Sequence, residues 1–209
     1  MCCHETENFT HCFLHLQHVI KTKCTNAQKV SYELSAGISS AFYYVDENDK
    51  CEMSDSKTGF AGGLAVNFKI SKRWAVQPGL SYVQKGGVEK QDEGATEYST
   101  RLNYIELPVN MVHSKRDRFF FGFGSFAAYG LSGKMKAKGN AGDEVKIKFG
   151  NSVEELKPFD AGINFLIGYR FASGIFFSMN IANSLNNISN NDLHYLSNGY
   201  VGIKAGYSF

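Results

Sequence analysis

From Val30 to the final residue, apolar and polar side chains alternate with a period of two. That is the pattern of a strand whose two faces meet different surroundings. In the first segment Val30, Tyr32, Leu34, Ala36, Ile38, Phe42 and Tyr44 fall on one face, opposed by Ser31, Glu33, Ser35, Gly37 and Ser39. The split recurs along the chain and ends with Tyr195, Val201, Ile203, Ala205, Tyr207 and Phe209 against Asn198, Gly202, Lys204 and Ser208. Eight such segments predict eight strands. The fourth, about residues 98–112, changes phase: Leu102 and Tyr104 lie in one register, Ile105, Leu107, Val109 and Met111 in the other. One extra residue turns the faces over, so a bulge is expected near Tyr104. Pro78 and Pro108 each remove a ladder donor and are read as bulges or bends.

The connections are of two kinds, and they alternate. Ser71-Lys72-Arg73, residues 113–117 and Ala172-Ser173-Gly174 are tight turns, whereas residues 46–57, 86–97, 133–156 and 186–193 are long and polar. Short turns alternating with long loops predict an antiparallel up-and-down transmembrane β-barrel, all-β, with both termini on the periplasmic side. A soluble lipocalin-like barrel, apolar face inward around a ligand, is the alternative. Aromatic placement separates the two. Trp74, Phe68, Phe119, Tyr169, Phe171, Tyr207 and Phe209 fall near the short turns, and Phe42, Tyr44, Phe60, Tyr82, Tyr129, Phe159 and Tyr195 near the long loops. Aliphatic residues fill the middle, as between two water–lipid interfaces. The other face then lines a narrow interior. Its glycines leave space, and Glu33, Lys69, Lys85, Glu106, Asp160, Arg170 and Lys204 are expected to neutralise one another there.

Composition agrees and adds limits. The chain has 209 residues, 17 Phe, 11 Tyr, 21 Gly and only 3 Pro, a strand-forming balance. No run reaches the ~18–20 apolar residues of a transmembrane helix. A net charge of +2 gives no reason to expect nucleic acid as a partner. Residues 1–27 stand apart, with Cys2, Cys3, Cys12 and Cys24 beside His4, His11, His15 and His18. They contain no CxxC, so a zinc-binding tail is a poor fit. An atypical signal peptide or misassigned start is expected, with the barrel occupying residues 28–209.

Candidate chemistry is sparse. His113 sits beside a turn, and His194 lies near Asp192 and Ser197 at the loop end. A Ser–His–acid group there is the enzymatic reading, and a solvated loop histidine the plainer one. No enzyme, cofactor or metal centre is expected. Lys134, Lys136, Lys138, Lys146 and Lys148 flank Gly139-Asn140-Ala141-Gly142 and read as a lysine-faced hairpin. Anionic outer-membrane lipid, lipopolysaccharide included, or surface polysaccharide is its expected partner, and lysines that simply keep an exposed hairpin soluble are the plainer reading. The acidic stretch Asp46, Glu47, Asp49, Glu52, Asp55 lacks ordered cation-ligand spacing.

The stretches Gln77-Pro78-Gly79-Leu80-Ser81-Tyr82-Val83-Gln84-Lys85-Gly86 and Tyr104-Ile105-Glu106-Leu107-Pro108-Val109 resemble motifs of the PorT-type outer-membrane β-barrel family. Phe159-Asp160-Ala161-Gly162-Ile163-Asn164 and the terminal Gly206-Tyr207-Ser208-Phe209 do as well. The resemblance spans roughly residues 29–209 and implies a barrel in the outer membrane. A last strand ending on Phe209 is expected to engage the barrel-assembly machinery. The role expected is structural or surface-interacting, through the loops. The alternative is an accessory part of a secretion or transport machine.

Overall fold

A strand with one apolar and one polar face has two problems: its edges carry unpaired backbone groups, and its polar face must be satisfied without water. Closing the sheet removes the edges and gathers the polar faces inside. The computed structural model shows this solution. It describes residues 30–47, 50–90, 97–138, 144–191 and 195–209, with the backbone alone for residues 47, 50, 51, 90 and 138. The strands are β1 (Val30–Glu47), β2 (Lys50–Met53), β3 (Lys57–Lys69), β4 (Trp74–Lys90) and β5 (Glu97–Lys115), followed by β6 (Phe119–Lys138), β7 (Glu144–Ile147), β8 (Phe159–Arg170), β9 (Ile175–Ser184) and β10 (Tyr195–Ser208).

Eight of them form the ring β1-β3-β4-β5-β6-β8-β9-β10, every neighbour antiparallel. The β1–β10 ladder, from Glu33↔Ser208 to Asp46↔Tyr195, closes it. The short β2 and β7 extend β1 and β6 at the loop end. The connections expected as loops at 46–57, 86–97 and 133–156 are thus partly strand, because β1, β4 and β6 run on past the ring.

The apolar face is outside. Leu34, Ile38, Leu64, Leu107, Val109, Ile163 and Ile203 are each about half exposed. Soluble monomers rarely expose an apolar patch beyond a few hundred Å², and here the apolar surface encircles the molecule. A soluble ligand-binding barrel has the reverse arrangement. Most outward aromatics gather at the two ends, Phe123 and Phe165 at mid-height excepted, with Tyr129 opposite Phe159 and Ile105 at the loop end. At the turn end Phe119 lies opposite Tyr169, which faces Phe177.

The bulge expected near Tyr104 is present but sits on the facing strand, and the prolines bring no register shift. Strand β5 keeps one phase throughout: Leu102, Tyr104, Glu106, Asn110 and Val112 are all buried. Leu102 and Tyr104 are simply apolar residues facing inward. The irregularity lies opposite Tyr104, where Asn103 pairs with Ser132 and Tyr104 with Gly130, leaving Leu131 of β6 as the extra residue. It turns β6 over, so Lys134 and Lys136 beyond it are exposed. The prolines interrupt the ladder without shifting it. Pairing lapses between Ala65↔Gly79 and Phe68↔Val76, and between Pro78↔Val109 and Ser81↔Glu106, and resumes in the same register.

Candidate functional sites in the lumen and at the loop end

The lumen of an eight-stranded barrel is about wide enough for its own side chains, and three layers fill this one. Uppermost is an apolar plug. Residues beyond β7 and β9 fold back over the mouth, placing Ile188 fully buried against Leu102, Tyr104, Phe126 and Tyr200, with Ile147, Phe149, Leu156 and Leu196 packed beside them. Phe149 meets Tyr104 edge-on at 5.5 Å. Gly130 is what admits it, since a Cβ there would lie 2.5 Å from the Phe149 ring. The plug is pinned by backbone and amide hydrogen bonds: Lys157 N donates to Ile188 O (2.8 Å), and Asn190 Nδ2 to Gly150 O (2.8 Å) and Glu155 O (2.9 Å).

Beneath it lies a buried charge centre. Lys85 Nζ is 3.1 Å from both Glu106 Oε2 and Asp160 Oδ2, and all three side chains are at most 2% exposed. The Tyr200 hydroxyl donates to Glu106 Oε1 at 2.8 Å, and Asn198 Nδ2 to Asp160 Oδ2 at 3.2 Å. The Lys85 ammonium also sits 4.3 Å from the centroid of Phe126. Below is a polar chamber of about 70 Å³ lined by Glu106, Lys204, Asn110, Asn164, Asn180 and Tyr200 among others. Its volume and polarity suit a few water molecules.

The floor is mixed. Phe120, Phe176, Leu166 and Val112 pack together, while Arg170 pairs with Glu33 and Gln77 Nε2 donates to Glu33 Oε2 and Asn67 Oδ1, both at 3.0 Å. Three acids (Glu33, Glu106, Asp160) thus face three bases (Lys85, Arg170, Lys204) along the lumen. Lys69 stands apart. It reaches the turn end and pairs with Asp117 at 2.8 Å, both partly exposed.

The second candidate is at the loop end. Ladder register sets Arg101 opposite Lys134 and Lys134 opposite Lys146, so three cations line up across β5, β6 and β7. All three are exposed. Like charges directly opposite destabilise a sheet. Glu144 offsets part of this, accepting from Lys134 (2.6 Å) and Lys136 (2.8 Å). Those two hydrogen bonds hold its carboxyl down to about 2. Lys57 nearby is pushed below its ordinary value, by burial first and then by Arg101 and Lys136. Lys148 is exposed beyond the end of β7. The side chain of Lys138, the tip 139–142 and His194 lie outside the described residues. His113 lies on the outer face at the turn end, between Trp74 (4.8 Å) and Phe121 (5.1 Å). Among the described residues no His, Cys, Asp and Glu side chains gather as metal ligands.

Sequence reasoning missed Arg101, because its alignment with the lysines depends on register. It missed the apolar plug too. The runs Phe119-Phe120-Phe121 and Phe176-Phe177 did carry a signal, since alternation forces one ring of each run inside.

Comparison with known proteins gives the same architecture. A family model described as outer membrane protein beta-barrel domain matches residues 26–190. Neisserial surface protein A is similar in structure, with a TM-score of 0.50 at 10% identity over 86% of this chain and 97% of its own. The outer membrane protein OprG from Pseudomonas aeruginosa gives 0.50 at 9% identity, over 87% and 97%. Ail of Yersinia pestis gives 0.48 at 15% identity, over 87% and 99%. Comparison with curated proteins yields no match.

Proposed function

This chain belongs to the outer membrane protein beta-barrel domain family, and from that premise we propose that it is a non-enzymatic, closed-lumen barrel that binds phosphorylated glycolipid through its loop end. Within the family we assign it to the PorT-type branch, on the motifs at residues 77–86 and 104–109. The long-loop end faces outward and the termini face the periplasm, with Phe209 presented for barrel assembly. The observation that carries the reading is the aligned row Arg101, Lys134, Lys146 on three adjacent strands. It lies beyond the aromatic level of Tyr129, where lipopolysaccharide phosphates are found in an outer leaflet. The closed lumen argues against solute diffusion as the purpose.

The test is binding of purified lipid A to the detergent-folded protein, with dephosphorylated lipid A as control. Each cation near an anionic surface contributes about 1 kcal/mol. Arg101→Gln/Lys134→Gln/Lys146→Gln is therefore expected to weaken binding roughly 100-fold, and salt to weaken it further. Glu144 has a depressed carboxyl, so its charge is present at neutral pH and lost only as pH falls through about 2. Glu144 should accordingly add no pH dependence across the mildly acidic range, where the second ionisation of the lipid phosphates, at about pH 6, governs any change in binding. Equal affinity for the dephosphorylated lipid would overturn the reading.

A further inference from the structure

The opposite end of the barrel is also cationic, and nothing in the loop-end reading uses it. Two adjacent turns, β3–β4 and β5–β6, carry Lys72, Arg73, Lys115, Arg116 and Arg118, all exposed. The turns are tied together, since Ser114 N donates to Arg73 O at 2.8 Å. Their one acid, Asp117, is already paired with Lys69. The third turn, Ala172-Ser173-Gly174, has no charge, so among the described residues the turn cations lie on one side of the rim.

The β5–β6 turn holds its arginine in an unusual way. Arg116 and Asp117 both have φ of 55°, and Arg118 N donates to Lys115 O at 3.2 Å, a tight turn with two left-handed central residues that leaves three residues between the paired Lys115 and Phe119. Such turns favour Asn-Gly, because side chains with a Cβ clash in the left-handed region. Arg116 nevertheless holds that conformation, with its side chain exposed at the tip of the turn.

The surroundings define what the charge meets. Lys115, Arg116 and Arg118 share one open hollow with Phe119 and Tyr169. Those two rings lie at the edge of the apolar band, and Tyr169 packs on Phe171 at 5.1 Å. Arg73 is followed directly by Trp74 and Arg118 by Phe119, so the cations stand at headgroup depth with rings toward the acyl chains. We infer that this hollow is a binding site for an anionic glycerophospholipid, its phosphate on Lys115, Arg116 and Arg118 and its upper acyl chain against Phe119 and Tyr169. The inference rests on the membrane-barrel reading but not on which end faces the periplasm.

The protein supplies its own probe. Trp74 is the single tryptophan, it follows Arg73, and it pairs with His113 two residues before Lys115. The folded full-length chain would be placed in phosphatidylcholine bilayers containing brominated phosphatidylglycerol or, separately, brominated phosphatidylcholine, and Trp74 quenching compared at equal mole fraction. The expected result is a preference of roughly fivefold or more for phosphatidylglycerol. Lys115→Gln/Arg118→Gln should cut it toward unity, and the charge-keeping Arg116→Lys should retain it. The heat-dependent gel shift of a folded barrel checks each variant beforehand. Equal quenching by both lipids, or a preference that survives the Gln variant, would overturn the inference. So would charge-dependent sedimentation with isolated peptidoglycan in place of a lipid preference. Quenching by neither lipid would overturn the membrane barrel itself, a different failure.

Discussion

Replacing Lys85 with Met is expected to destabilise the folded barrel by about 3–5 kcal/mol, because it leaves two carboxylates buried without their cation. Glu106 and Asp160 each lie 3.1 Å from the ammonium and are almost wholly shielded from solvent. Without Lys85, both carboxylates are left uncompensated in a medium of low polarity. The pairing is not itself a large source of stability, since removing three charges from water offsets most of the attraction between them. The prediction therefore has a second half. Lys85→Met/Glu106→Gln/Asp160→Asn, which removes all three charges and keeps their volumes, should recover most of the loss. Urea unfolding of the lipid-reconstituted protein reads both variants. A harmless single substitution would mean the charges are solvated and the lumen open, and a triple variant as unstable as the single would mean the loss does not come from uncompensated carboxylates.

The second large effect is on the outer face. Leu64 is 57% exposed near the middle of β3, where water is absent if the apolar belt meets acyl chains. Leu64→Arg is expected to cost about 2–4 kcal/mol at the bilayer midplane. Thr58→Arg, on the same strand and also exposed but at the loop end, should cost close to nothing. Surface substitutions in water stay within about 0.5 kcal/mol whatever their position. The depth dependence thus separates lipid from solvent, and equal small effects at both positions would place the belt in water.

What was legible in the chain follows from what imposed the pattern. Lipid outside and packed side chains inside make opposite demands, so period-two alternation recorded strand direction and face for most of β1, β3, β4, β8, β9 and β10. The alternation was blurred wherever the interior is itself apolar. Leu102 and Tyr104 obey packing against Phe149 and Ile188 rather than the polar rule for the lumen, and the phase change they mimic belongs to Leu131 across the ladder. The plug was illegible because residues 148–157 and 185–191 have no period; long-range contacts place them. Lys69 has the phase of an interior residue, but it ends its strand, and the nearest acid is Asp117 in a turn. Of the candidate sites, the lysines were visible as a run. The row they form with Arg101 is a property of register, which no single segment encodes.

The most direct test of the account is the native protein's behaviour on membrane fractionation and on a gel. A closed barrel with an encircling apolar belt should sediment with the outer membrane and stay there through urea or carbonate extraction. It should also migrate faster in detergent unheated than boiled, because the β1–β10 closure persists until heat breaks it. Recovery as a soluble monomer with a single, heat-independent mobility would contradict the account.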